Sequence, residues 1–448
     1  MTHTYDLTNG SISAHLIRLA APLIVGNLLQ QLCNAADVFI LGHFAGSAEF
    51  AAAGIAGSVM NFFLFAVVGG CTGISILLAQ YFGSEDRQAF RQEHFLSLVM
   101  GLGISALLGG AGILLMKPML ALIQVPDTLA GLVRWYLCIV LAGLPVSFLY
   151  NLYSALLRAA GRTQAALLAL AAAVCINLLL DCLFIRGLHA GIGGAAAATV
   201  LSQMLSAIFC LLYLKKQLPA LLFTRKDCRM NRAILSKTIR CSFVTGLHQS
   251  SLYFGKLMVQ GAVNAAGTAA ISAYTAATRT EGFINSFGDS GAAATAIVVA
   301  QNVGAQKKER VRKIFRESAK LLLLFGLLCS AALFLLARPA CTIFLGADDP
   351  EALEQAVSYL HLISFFYPLC FLGNTFAGYF DGTGQVLIPF IGAASHISLR
   401  AVLSWLLVRR FGLNTVAAAT GLGWIWVNLL WTVLYVIRSR STSHSPSV

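Results

Sequence analysis

Apolar runs of roughly 20 residues or more, separated by short polar and basic joints, occupy nearly the whole chain. They fall at about 13–41, 51–79, 95–115, 129–156, 165–185 and 192–214, and again at 239–263, 271–299, 319–337, 353–377, 386–408 and 416–437. Coiled as an α-helix, a 20-residue run spans about 30 Å, the thickness of the hydrocarbon layer of a bilayer. The pattern therefore predicts an all-α polytopic membrane protein with twelve transmembrane helices.

The same punctuation occurs twice. A displacement of 221 residues brings Gly46 onto Gly267, Ala79 and Gln80 onto Ala300 and Gln301, Gly83 onto Gly304, Pro118 onto Pro339, Gly161 onto Gly382 and Gln164 onto Gln385. A fixed offset over so many anchors implies two copies of a six-helix unit. An even number of spans per copy inserts both in the same direction, as parallel repeats about an axis along the membrane normal. The expected organisation is an N-lobe at 13–214, a basic cytoplasmic linker at 215–238, a C-lobe at 239–437 and a cytoplasmic tail at 438–448.

Composition agrees with a membrane solvent: 58% of the 448 residues are hydrophobic, 11% are charged and the mean hydropathy is +0.78. The net charge of +13 would suit a nucleic-acid binder. Its cations, however, border the spans: Lys215, Lys216, Arg225, Lys226, Arg229, Arg232, Lys237 and Arg240 at the joint, then Lys307, Lys308, Arg310, Arg312, Lys313 and Arg316. With Arg87, Arg91, Arg158, Arg162, Arg438 and Arg440 they share one side of a twelve-span chain. By the positive-inside rule that side and both termini are cytoplasmic, with anionic membrane lipid as the partner and no nucleic acid.

The opposite side holds Asp348, Asp349, Glu351 and Glu354, with Arg409 and Arg410 as exceptions. The first ten residues are polar and lead into a long span, so no cleavable signal is expected. Eleven scattered cysteines form neither a metal-ligand cluster nor a redox pair. There is no Walker loop, no zinc-protease motif and no nucleophile with its base, so the chain is not expected to be an enzyme or to carry a cofactor.

Polar side chains inside apolar helices cost free energy and so invite explanation. Asn34 and Gln30 precede Asp37 by three and seven positions, which puts all three on one helix face. Asp37 either hydrogen-bonds a neighbouring helix near the membrane boundary or exchanges a proton or other cation during transport. Asn177 and Asp181 stand one helical turn apart in the fifth span and present an amide and a carboxyl to the same region. Thr199 adds a hydroxyl that back-bonding within its own helix would satisfy equally well, and Tyr136 and Asn151 add a phenol and an amide, each suited to packing or to an interhelical hydrogen bond. In the second half Lys256, Glu281 and Arg279 stand out. Lys256 either faces a cavity or snorkels outward, and Glu281 either meets a substrate cation or pairs with Arg279 or Lys256.

Several segments together resemble the multidrug and toxic compound extrusion family, in its prokaryotic form, over nearly the whole length. They are Asn34-Ala35-Ala36-Asp37-Val38-Phe39-Ile40, the Asn177-x-x-x-Asp181 pattern, the small-residue run from Gly191 to Thr199, and Ala79-Gln80-Tyr81-Phe82-Gly83 repeated as Ala300-Gln301-Asn302-Val303-Gly304. The resemblance implies a cation-coupled multidrug efflux antiporter of the inner cell membrane, with a central cavity between two lobes. It assigns cation coupling, by H+ or Na+, to Asp37, Asn177, Asp181, Thr199 and Tyr136, with Asp37 and Asp181 as ligands if sodium is the ion. Asn34, Asn151, Lys256 and Glu281 are then expected at the substrate cavity, the substrate being a small amphipathic organic cation and the working unit a monomer. The tenth span lacks the carboxylate that some members use for a C-lobe cation site, and Lys256 replaces a neutral polar residue, so coupling is expected in the N-lobe. The alternatives are export of a lipid-linked precursor or endogenous metabolite by the same architecture, or a non-transporting membrane scaffold.

Overall fold

The structure, a computed structural model, describes residues 6–123, 125–345 and 349–441. Asp348 of the outer acidic stretch, the Arg440 side chain and the end of the tail lie outside the described residues. Among the described residues every regular element is helical. The first half comprises α1 (Ile12–Phe44), α2 (Ser47–Gly83), α3 (Arg87–Leu114), the short α4 (Met116–Leu122), α5 (Asp127–Ala142), α6 (Leu144–Ala159), α7 (Thr163–Asp181) and α8 (Gly191–Gln217). The second comprises α9 (Arg232–Asn264), α10 (Thr268–Gly304), α11 (Lys308–Leu345), α12 (Pro350–Ser364), α13 (Tyr367–Gly382), α14 (Leu387–Phe411) and α15 (Asn414–Ser441).

Among the described residues nine helices are long and apolar enough to cross a membrane, and two bent pairs, α5 with α6 and α12 with α13, bring the number to eleven. The twelfth is α9, whose 33 residues suffice in length. Its polar positions, among them His248, Gln249 and Lys256, keep it below the apolar threshold.

The fourth and tenth spans, expected as single helices, are broken by 44° and 54°. The cause is local. Pro145 and Pro368 occupy the first turns of α6 and α13 and lack the N–H that would continue the preceding helix.

Backbone conformation repeats with the sequence. Gly46 and Gly267 take φ of 103° and 105°, and Glu85 and Gln306 take 59° and 57°, each pair 221 residues apart. Past the outer end of α4 the register changes. Gly161 (φ 73°) corresponds to Gly384 (φ 78°), and the amides of Arg162 and Gln385 each close the same turn at 2.8 Å, onto Leu157 and Phe380. The pairing of Gly161 with Gly382, and of Gln164 with Gln385, is therefore corrected to an offset of 223. Two residues have been added between Pro339 and Pro368 relative to Pro118 and Pro145, and Gly382 lies inside α13.

The chain packs as two compact units: one of the described residues up to Gly10 with Ala21–Ser250 and Ala300–Lys307, the other of Ser11–Ala20, Ser251–Val299 and the chain from Lys308 onward. In the first unit the helix ends of α2 and α10 cross backbone to backbone. A Cβ on Gly83 would lie 1.9 Å from the Gln301 carbonyl oxygen, and one on Gly304 would lie 1.9 Å from that of Gln80. Only glycine permits this approach at either position. Leu7 is buried beside the crossing: its N–H donates to Gln301 Oε1 at 3.4 Å and its carbonyl accepts from Asn302 Nδ2 at 3.1 Å. Lys307 Nζ adds bonds to the Thr8 carbonyl and Asn9 Oδ1, both at 2.9 Å.

The linker is fastened in the same unit by consecutive side chains of α3. Arg91 pairs with Asp227 at 3.0 Å, Gln92 accepts from Asn231 at 3.2 Å, and the buried Glu93 accepts from Thr238 at 2.7 Å. The second unit is centred on an aromatic core in which Tyr359, Tyr367 and Phe371 are fully buried among Val259, Tyr274, Leu333, Val408 and Val416.

Candidate functional site

Four of the polar residues expected in the first half meet, with one addition. α7 carries Asn177 and Asp181 on one face, and both are buried, 5% and 1% exposed. The helix then widens into a π-helical turn at Cys182–Gly187, a distortion common near functional sites. Within it Ile185 packs on Ile40 and Leu41 of α1. That apolar contact holds the α1 turn bearing Asp37 against the end of α7.

The result is a carboxyl of Asp37 within hydrogen-bonding reach of the carboxyl of Asp181. Cys33, one turn before Asp37, faces Asn177 Oδ1 at 3.3 Å and the Asp37 carboxyl at 3.8 and 4.0 Å. Tyr136 stands near both carboxyls, its hydroxyl directed to Met60 Sδ at 3.5 Å. Asn177 Nδ2 and Asp181 Oδ1 are buried without a hydrogen-bond partner among the described residues. Unpaired polar atoms of this kind are costly unless another species enters to pair with them.

Other expected members are satisfied locally. Thr199 bonds back to the Ala195 carbonyl at 3.0 Å, the back-bonding alternative, and Asn151 bonds to the Ser147 carbonyl at 2.9 Å within its own helix. Asn34 is exposed and accepts from Gln30 at 3.3 Å rather than joining Asp37, because α1 turns Cys33 and not Asn34 toward α7. Cys33 is the member that sequence reasoning missed, since a cysteine in an apolar span reads as packing.

In the second half Glu281 is buried, and its described hydrogen-bond partners are neither Arg279 nor Lys256. Tyr367 donates to Oε1 at 3.0 Å and Tyr359 to Oε2 at 3.3 Å. These phenols come from α13 and α12, on either side of the broken span. Lys256 is exposed, close enough to Glu281 and Asp289 to interact with their charge but in no ion pair among the described residues. Arg400, at the middle of α14, donates to the Tyr274 hydroxyl at 3.0 Å. Asp289 and Arg400 were also missed, although a charge in the middle of an apolar run was their signal.

Among the described residues no group of three or more His, Cys, Asp or Glu side chains is arranged to hold a metal ion. Nor do the two carboxyls stand beside a nucleophile and base. What they offer is a place for exchangeable positive charge.

A sequence model described as MatE matches residues 22–183 and 242–406. The chain belongs to the MatE family. Members of this family are transporters, so this MatE protein is a polytopic membrane transporter and not an enzyme. It is 26% identical over 373 residues to a probable multidrug resistance protein, YpnP of Bacillus subtilis, covering 83% of this chain and 82% of the relative. It is 24% identical over 366 residues to an FAD transporter of Shewanella oneidensis, covering 80% of each. Its fold matches the outward-facing conformation of a multidrug resistance MATE family transporter with a TM-score of 0.92, at 21% identity, over 99% of this chain and 100% of that one. That likeness establishes the MatE architecture of twelve helices in two lobes.

Proposed function

We propose that this chain is a secondary active antiporter of the cell membrane that exports amphipathic organic cations in exchange for protons or sodium ions, with both termini cytoplasmic. The observation that carries this reading is the closeness of the Asp37 and Asp181 carboxyls beside the unpartnered Asp181 Oδ1 and Asn177 Nδ2. Two carboxylates have no hydrogen to share, so a hydrogen bond can join them only when one carries a proton. Without it their like charges repel in a medium of low dielectric. The pair is thus a seat for one positive charge, delivered from outside.

Filling the seat cancels the negative charge that attracts a cationic substrate, and emptying it restores that attraction. Two ligands competing through one charge balance are thereby coupled without covalent chemistry. Protons are preferred over sodium because Cys33 engages the Asn177 amide oxygen, one of the oxygens a hard cation would use. A relative that is an FAD transporter favours a second reading, in which the exported compound is an endogenous metabolite.

The test uses purified protein in vesicles with an imposed proton or sodium gradient and a fluorescent organic cation. The wild type is expected to move the probe with the gradient, and Asp37→Asn to lose at least about tenfold in rate. Movement that ignores both gradients and is unchanged in Asp37→Asn removes the coupling role from this pair.

A further inference from the structure

The duplication makes each half a standard for the other. At the offset of 221 that holds through α3 and α11, Arg91 corresponds to Arg312, His94 to Phe315 and Phe95 to Arg316. In the first half the linker covers this face of α3: Asp227 pairs with Arg91 at 3.0 Å, and Phe223 lies edge-on against His94 and Phe95, with centroids 4.8 and 5.5 Å away. One anion and one apolar group occupy the face.

The second half keeps the surface and lacks the cover. Phe315 meets Phe376 at 5.1 Å as His94 meets Tyr153 at 6.1 Å, and Tyr153 corresponds to Phe376 at the offset of 223 found for α6 and α13. Tyr435 of α15 stacks on Phe315 at 4.4 Å, and Tyr379 of α13 closes the cluster at 5.2 Å. No counterpart of Asp227 follows, because the residues after α15, 442–448, include no acidic side chain.

Charge on this surface is one-sided. Between 307 and 320 seven basic residues accompany two acidic ones. Glu309 meets Arg312 through a pair at 3.6 Å within one helix, and the carboxylate is 84% exposed, so the pair contributes little. Glu317 is engaged by Lys320 at 2.9 Å and by Ser13 at 3.2 Å. Arg316 is exposed and in no described ion pair. Its charge and that of Arg312 act on the Tyr435 hydroxyl, and Arg312 also reaches Tyr379. Neither phenol makes a described hydrogen bond, so two O–H donors stand beside two guanidinium groups. The apolar run of α11 begins at Ala319, about 5 Å along the helix from Arg316, and the exposed Leu323 and Leu327 continue the same face. Positive charge at the hydrocarbon edge with apolar surface beneath it is the profile a phospholipid fits.

We propose that Arg312, Arg316, Tyr379 and Tyr435 form a site for the phosphate of an anionic phospholipid, in the leaflet on the basic side, where the first half uses Asp227 and Phe223 of its linker. Guanidinium groups take phosphate through paired N–H bonds, and the phenols add donors. Zwitterionic headgroups bring an ammonium that these arginines repel. The general attraction of basic joints for anionic lipid is thereby narrowed to one seat, and its occupancy is independent of the antiport reading because it is measured without transport.

Binding of dioleoylphosphatidylglycerol and dioleoylphosphatidylcholine to the purified full-length protein in detergent is followed by native mass spectrometry. A basic residue beside anionic lipid contributes about fivefold in affinity, so the wild type is expected to hold its first phosphatidylglycerol about 25-fold more tightly than phosphatidylcholine. Arg316→Gln should lose about fivefold of this, and Arg312→Gln with Arg316→Gln nearly all of it. Arg225→Gln with Lys226→Gln removes equal charge from exposed positions of the linker and should keep the preference. A preference absent from the wild type, or retained when both arginines are replaced, overturns the site. Equal loss in the linker variant shows attraction by net charge alone and overturns it too. Should the double arginine variant fail to fold, Arg316→Gln decides, and unchanged phosphatidylglycerol affinity there overturns the site. Inorganic phosphate that displaces phosphatidylglycerol better than chloride at equal ionic strength assigns the seat to a soluble anion and overturns the lipid.

Discussion

Replacing Gly83 with alanine places a methyl carbon 1.9 Å from the Gln301 carbonyl oxygen, where real contacts of this kind stay beyond about 3.0 Å. The obstacle is backbone, so no rotamer change relieves it, and the ends of α2 and α10 have to part by about 1 Å. Overpacking of this size costs about 1–3 kcal/mol, or roughly 5–150-fold in the ratio of crossed to separated ends. Amide hydrogen exchange in peptides covering 79–84 and 300–305 should accelerate by a factor in that range, while peptides from α7 stay protected. Gly57→Ala in the same helix is the control, because a Cβ there meets nothing within 4 Å. Equal exchange in Gly83→Ala and Gly57→Ala would refute the claim that the crossing depends on glycine. Gly304→Ala, the reciprocal change against Gln80, should behave like Gly83→Ala.

Removing the hydroxyl in Tyr367→Phe strips a buried carboxylate oxygen of its donor and should lower the stability of the second half by about 1–3 kcal/mol, read as a drop in thermal unfolding temperature; an unchanged unfolding temperature would contradict the assignment. Asp227, in the linker outside the spans, is subject to opposing effects: burial would raise its carboxyl, but the Thr224 N–H and hydroxyl and the nearby Arg91 together hold it below the usual carboxylate range. A group depressed on folding contributes stability that is present above its unfolded value of about 3.9 and is lost as pH falls through the lower folded value. Pepsin cleavage within 218–231 should therefore rise as pH is lowered from about 4 to 2. In Asp227→Asn the linker should be cut readily across that range and by trypsin at neutral pH, and equal resistance of the two proteins would contradict the assignment.

The membrane architecture was legible because hydrocarbon demands long apolar runs whatever they pack against, and the duplication because Gly46 and Gly267, like Gly83 and Gly304, recur 221 residues apart. Asn177 and Asp181 were legible as a pair since four residues make one turn. Their meeting with Asp37 was supported only by resemblance, as nothing local in α1 or α7 encodes the Ile185 contact that aligns them. The breaks at Gly143 and Phe366 were written in Pro145 and Pro368, but an unbroken apolar run hides a bend that costs no polarity. The hydrogen-bond partners of Glu281 were not legible for a related reason. Opposite charge suggested Arg279 and Lys256, whereas both oxygens are taken by the phenols of Tyr359 and Tyr367, with Arg400 and Lys256 near enough for their charges to act.

The fastening of Leu7, Thr8 and Asn9 by Gln301, Asn302 and Lys307 joins groups 294 to 299 positions apart in the chain. During synthesis the leading segment emerges long before its partners exist, and at about 5–20 residues per second it waits on the order of 15–60 s for them. Until then Leu7 has no buried pocket, and the crossing of Gly83 with Gly304 cannot close. The amino-terminal staple accordingly cannot form before α10 has been made, and its presence marks a polypeptide whose α9 and α10 have already been threaded into the bilayer.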